Sequence, residues 1–147
     1  MKGGKVNEPQ VLWPSDRMGP FNEWLGFVFE EATGDRVDAV WEAREEFLQP
    51  FGILHGGIHC SIAEAVASLG ASIWFRDAGR VVGVNNSTDF YRAVSEGSFR
   101  SVATPVHRGQ VQQVWVVETH AEAGGRLIAR SQVRLQNLPH RDQAVAR

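Results

Sequence analysis

Hydrophobic and polar positions follow two regimes along this chain, changing over at Gly56 and again near Phe75. Between those points Ile58, Ile62, Val66, Leu69 and Ile73 recur at helical spacing. The positions between them are small: Cys60, Ala63, Ala65, Ala67, Gly70 and Ala71. A helix that is apolar or small on nearly every side is surrounded by protein. Arg76-Asp77-Ala78-Gly79 ends it. Before the helix, Phe27-Phe29 and Val37-Val40-Trp41 alternate on either side of Gly34-Asp35, which reads as a β-hairpin. Pro20 to Gly26 reads as one short helical turn, and the segment from Arg44 to Gly57 as a loop broken by Pro50 and Gly52.

After Gly79 the chain reads as strand. VVGVNNSTDFYRA is followed by a turn at Ser95-Glu96-Gly97, SFRSVATPVH by Arg108-Gly109, and QVQQVWVVETHAEA by Gly124-Gly125. RLIARSQVRLQNL closes the series. Two-residue alternation at Val114 and Val116, and again at Val133 and Leu135, fits half-buried antiparallel strands. The order is hairpin, one long buried helix, then four meandering strands. One helix and one antiparallel sheet must cover each other. To bury the helix on most sides the sheet has to curl around it. The expected fold is therefore α+β: a hotdog, with a curved sheet of five to six strands wrapped on a central helix. The domain is expected over residues 20–138, preceded by a loosely held polar segment (1–19) and followed by a polar tail (139–147).

Composition changes this picture little. The 147 residues suit one domain with a real core, and 43% hydrophobic against 22% charged residues is globular. The net charge of -2, with Lys and Arg scattered, offers no face for nucleic acid and no basic membrane arm. The single cysteine, Cys60, allows no intrachain disulfide and makes a Cys-based zinc site implausible; no metal and no cofactor are expected. MKGGKVNEPQ lacks the apolar core of a signal peptide. The longest candidate apolar stretch, Val66 to Phe75, is far short of the ~20 residues that span a bilayer. These readings point to a cytoplasmic protein.

One residue conflicts with the pattern. Glu64 puts a carboxylate in the middle of the most apolar helix, where an unpaired charge is expensive. Two readings stand side by side. Glu64 points at solvent or is neutralised by Arg44 or Arg92, or it performs chemistry. At the helix entry, His55-Gly56-Gly57 supplies two glycines that let backbone N–H groups approach a ligand closely. A helix N-terminus is electropositive and has unpaired donors, which suits it to polarise a carbonyl. The plain alternative is a tight loop-to-helix entry. His55 and Glu64 are nine positions apart, ~13 Å of helical rise. They cannot meet one carbonyl from the same helix. If both act on one carbonyl, the helices come from two chains packed antiparallel, with two composite sites per dimer.

The segment QPFGILHGGIHCSIAEAVASLGA resembles the PaaI-like hotdog thioesterases, in particular the 4-hydroxybenzoyl-CoA and 1,4-dihydroxy-2-naphthoyl-CoA thioesterase branch. The resemblance continues through VVGVNNSTDFYRAVSEG and PVHRGQVQQVWVV and covers residues 47–138. It implies that Glu64 is the carboxylate nucleophile or the base that activates water, and that His55 orients the thioester. It further implies that the Gly56 N–H polarises the carbonyl, that Gln49 helps bind substrate or water, and that Ser68 hydrogen-bonds Glu64 or the water. Gly57 belongs to the same entry. The substrate is then an acyl-CoA with an aromatic or bulky acyl group, and the assembly a homodimer, or a homotetramer of two such dimers. A thioester carbonyl is already electrophilic, so a polarising N–H and a positioned carboxylate suffice without metal or triad.

Further candidates are weaker. His107-Arg108-Gly109 falls where the resembling enzymes meet the nucleotide end of coenzyme A, so Arg108 is a phosphate candidate, with a solvated hairpin turn as the alternative. Arg92 is a second phosphate candidate. Asn85 and Asn86 sit early in a strand beside the helix, either lining the acyl pocket or serving as ordinary strand residues. Cys60 reads as a small core residue, and Ser61 lacks the G-x-S-x-G elbow of a serine hydrolase. The five tryptophans could build an aromatic acyl pocket, or cover the core as Trp13 and Trp24 would. Two other functions compete: a hotdog hydratase acting on an enoyl-CoA, and a non-catalytic acyl-CoA-binding module.

Overall fold

The computed structural model describes residues 18–140; Trp13 and most of the expected N-terminal segment lie outside them. A short helix α1 (Pro20–Leu25) leads into a hairpin of β1 (Val28–Ala32) and β2 (Val37–Glu42). A 3-10 turn (Glu45–Phe47) precedes the long helix α2 (Gly56–Phe75). Four strands follow: β3 (Gly79–Phe90), β4 (Ser98–Arg108), β5 (Gln112–Ala121) and β6 (Leu127–Pro139). They form one six-stranded sheet in the order β1-β2-β4-β5-β6-β3, with every neighbouring pair antiparallel. This is the hotdog architecture, one long helix against a single antiparallel sheet.

The expected four-strand meander holds for β4, β5 and β6 and fails for β3. That strand makes no hairpin with β4. It pairs with β6 instead, from Gly79 opposite Pro139 to Phe90 opposite Ala129, and so becomes an edge. The freed side of β4 pairs with β2. Alternation marks which residues are strand but is silent on partners, which burial decides. Strand β5 buries five of its ten residues, whereas β3 buries none. A strand exposed along its length belongs at the rim.

Helix α2 reaches the sheet through its small residues. A Cβ on Gly70 would come within 2.7 Å of the Trp115 ring and 3.1 Å of Val37. Trp115 is fully buried and donates from Nε1 to Gln113 Oε1 at 3.0 Å. Gln113 Nε2 in turn donates to the Ala71 carbonyl at 3.2 Å and to Asn137 Oδ1 at 2.9 Å. This buried amide therefore ties β5 to α2 and β6 with its polar atoms satisfied, which buried polar groups require. Residues Gly56–Ala78, 23 residues with mean hydropathy 1.3, are long and apolar enough to cross a bilayer, more than the Val66–Phe75 stretch suggested. The sheet wraps this stretch, and it is the core helix.

Candidate active site

Residue types alone leave Glu64 paradoxical, and its position on α2 resolves the conflict. The helix buries Ile62, Ala63, Ala65, Val66 and Ala67, but Glu64 is exposed. It lies on the flank facing the edge strand β3, where a Cβ on Gly83 would stand 3.0 Å from Glu64 Oε1. Neither Arg44 nor Arg92 neutralises it; among the described residues Glu64 has no ion-pair partner. The Arg44 guanidinium stacks on Phe47, 4.2 Å from the ring centroid, and donates to the Trp24 carbonyl. Trp24 meets Phe47 edge-on at 5.2 Å and so covers the core. Glu64 shares a cleft of about 320 Å³ with Ser68, Phe21 and Val81. Among the described residues no hydrogen bond joins Ser68 to Glu64.

The helix entry forms a second and larger cavity, about 570 Å³, lined by Gln49, His55, Gly56 and Arg92 together with aromatic residues. His55 is the N-cap of α2. Its Nδ1 accepts from the Gly57 N–H at 2.9 Å, which places the proton of the neutral ring on Nε2. Gly57 is thereby occupied by its own cap. The N–H of Ile58 bonds the His55 carbonyl at 3.0 Å. The Gly56 N–H has no acceptor among the described residues and remains the available donor at the positive end of the helix. A Cβ here would come within 2.6 Å of the Phe90 ring, so the glycine allows the ring to lie over the helix entry. The Gln49 side chain accepts from the Phe51 N–H, which turns the loop against the cavity wall.

The structure thus separates the expected set in two. Gln49, His55, Gly56 and Arg92 converge on one cavity; Glu64 and Ser68 line another. Strand β3 connects them. It runs antiparallel to α2, with Phe90 over Gly56, Asn86 Nδ2 donating to the Cys60 carbonyl at 2.9 Å, and Gly83 beside Glu64. Asn86 is thus committed to the helix, while Asn85 is exposed beside it. His107 and Arg108 end β4 rather than forming a turn, and Gly109 bonds back to Gln112 across the tight link to β5. Arg108 is committed as well: it donates to the Gly34 carbonyl and to Asp35 Oδ1, both at 2.7 Å, against Trp74. Its expected role on a phosphate therefore competes with an existing ion pair. Among the described residues no group of His, Cys, Asp and Glu is arranged to hold a metal ion.

Three site features escaped the sequence reading. His59 lines the cavity and is buried, which lowers its pKa to about 4. Phe90 and Tyr91 form part of the wall. Gly83 gives Glu64 its room. The glycine inside VVGV was a legible sign, since an isolated strand glycine marks close approach. The His59 signal was its place one turn beyond His55.

The chain is similar to known proteins in sequence and in fold. Residues 51–128 match the model of the Thioesterase superfamily, a span that includes both the helix entry and Glu64. The chain is 44% identical over 125 residues to Rv1847 of Mycobacterium tuberculosis, provisionally named an esterase, covering 83% of this chain and 89% of that one. It is 36% identical over 109 residues to the proofreading thioesterase EntH of Cronobacter sakazakii, covering 74% and 80%. The crystal structure of AziG from S. sahachiroi superposes with a TM-score of 0.82 at 54% identity, covering 84% of this chain and 100% of that one. The chain belongs to the thioesterase superfamily and is a thioester hydrolase.

Proposed function

We propose that the protein hydrolyses an acyl-CoA thioester carrying an aromatic or bulky acyl group, at sites shared between two protomers. The observation that carries this reading is that one edge strand, β3, runs past both a Gly56 N–H over an aromatic-walled cavity and the Glu64 carboxylate, both on α2 and both without a partner among the described residues. Gly56 and Glu64 are eight residues apart, ~12 Å along α2, too far to act on one carbonyl. Two β3 edges paired antiparallel, centred between Asn86 and Ser87, would set Gly83 of one protomer opposite the partner's Phe90. Glu64 would then face the partner's helix entry. Exposed Val82 and Val84 on β3 favour such an interface.

In this site the Gly56 N–H polarises the thioester carbonyl, His55 orients the thioester from Nε2, and Gln49 positions substrate or water. Glu64 acts as nucleophile or as general base, with Ser68 one turn away to hold it or the water. Arg92, exposed at the cavity rim and without an ion-pair partner among the described residues, meets a phosphate. One half-buried thiol, Cys60, fits a reducing compartment, and we place the enzyme in the cytoplasm.

Free-thiol release from a panel of acyl-CoAs, native against Glu64→Gln, tests the reading. Turnover of aryl-CoAs should fall about 10²–10⁴-fold in the variant. Turnover that survives the substitution overturns the role of Glu64. Hydrolysis only of carrier-protein thioesters overturns coenzyme A as the carrier.

A further inference from the structure

Asn86 makes the only side-chain hydrogen bond between β3 and α2 among the described residues, its Nδ2 donating to the Cys60 carbonyl at 2.9 Å. A carbonyl can only accept, which fixes the amide with Nδ2 toward the helix and Oδ1 away from it. Oδ1 lies 2.8 Å from the Thr88 hydroxyl, which lies 2.8 Å from that of buried Ser131. Thr88 has one hydroxyl hydrogen, so it donates to Asn86 and accepts from Ser131. The amide is therefore held from both sides, and the relay ties α2 through β3 to β6.

The place of this bond on the helix matters. In an α-helix the Cys60 carbonyl also accepts from the N–H four residues on, which is that of Glu64. Asn86 thus grips the peptide group to which the backbone of Glu64 is bonded. The helix satisfies that carbonyl without it, so the amide adds a tether rather than filling an unmet need. Apolar packing does little to fix β3 on the helix, since none of its residues is buried. Yet Gly83, three residues before Asn86, lies so close to Glu64 that a Cβ would stand 3.0 Å from Oε1. The helix entry has a hold of its own, with the His55 N–H on the Phe47 carbonyl at 2.8 Å and the Gly57 N–H on the His55 ring. We infer that Asn86 is a positioning residue for Glu64: its amide fixes the carboxylate-bearing turn of α2 against the edge strand, and with it the approach of the carboxylate to the scissile carbonyl. The inference rests on the catalytic role of Glu64 proposed above.

The test measures kcat and KM for benzoyl-CoA in the native enzyme, Asn86→Asp, Asn86→Ala and Thr88→Val, each with Glu64 intact and with Glu64→Gln. Aspartate keeps the shape but turns the donor into an acceptor facing the Cys60 carbonyl. With Glu64 intact, both Asn86 variants should lower kcat about tenfold to 10²-fold, with KM within a few-fold. Thr88→Val, which only frees the amide, should lower kcat less. In the Glu64→Gln background the Asn86 substitutions should change kcat less than about twofold, because both act through one group. An Asn86 effect of equal size in both backgrounds is merely structural and overturns the inference, as does an unchanged kcat with Glu64 intact. If Glu64→Gln itself costs nothing, the role of Glu64 falls and the inference with it; if only the Asn86 variants are silent, the role of Glu64 stands. If Asn86→Asp does not fold, Asn86→Ala decides. If the native enzyme leaves benzoyl-CoA intact, amide hydrogen exchange of native against Asn86→Ala decides: faster exchange around Glu64 than in the C-terminal half of α2 is expected, and equal exchange throughout overturns the inference.

Discussion

The carboxylate of Glu64 is tolerated on an apolar helix because it faces the flank beside an edge strand, where Gly83 leaves it room. Gly83→Ala places a methyl group 3.0 Å from Oε1, close enough to displace a flexible carboxylate end without breaking the fold. Turnover should drop about tenfold or more while thermal stability changes little. In an enzyme that already carries Glu64→Gln the same substitution should add almost nothing, because both act through one group. His59 makes a separate prediction about pH. Its folded pKa of about 4 lies below the ordinary 6.5, so the unfolded chain takes up the proton first as pH falls. Stability from this residue is complete above about 6.5 and is lost progressively down to about 4, by up to ~3 kcal/mol. Denaturant melts across that window should show a steeper acid loss for the native protein than for His59→Phe. Parallel curves would remove burial of a neutral imidazole as the cause.

Among the elements, α2 and the β5 strand beneath it depend on one close approach. Gly70 allows the Trp115 ring to lie against the helix, and Trp115 is held in turn by Gln113. Alanine is the better helix former by about 1 kcal/mol. Overpacking against a sealed indole costs about 1–3 kcal/mol. Gly70→Ala should therefore lower the denaturation midpoint despite its helix propensity. A raised midpoint would mean that the indole shifts freely. Exposed Val82 and Val84 need an explanation of another kind, since long apolar edges are aggregation sites unless covered.

For the whole molecule the decisive quantity is how many chains make one site. If the carboxylate and the polarising N–H come from different protomers, two inactive variants should rescue each other. Glu64→Gln and His55→Ala, mixed and allowed to exchange subunits, form heterodimers with one intact site and one doubly damaged site. Random exchange at equal amounts should recover about a quarter of native activity. Rescue that fails although exchange is proven by mass would place both groups in one chain. Val84→Glu should give a monomer by light scattering with its turnover lost, and a monomer that keeps native turnover would refute the shared site.

The order of elements, the long central helix, the helix entry at His55-Gly56-Gly57 and the anomaly of Glu64 were all legible in the sequence. Each is a local pattern: hydrophobic period, glycine spacing, or one charge in an apolar run. What the local patterns left undetermined depends on contacts between distant residues. Strand β3 pairs with β6 rather than β4 because the strands that bury alternate residues take the centre of the sheet. Arg108 is bound to Asp35 because the β1–β2 turn arrives beside it. His59 is buried, its Nδ1 without a partner among the described residues, because Trp41 and Phe90, far apart in sequence, close over it. Glu64 and Gly56 line separate clefts because a helix has a fixed rise, and the sequence already implied that separation. Only the fold shows that β3 runs past both groups and joins the two clefts along one open edge.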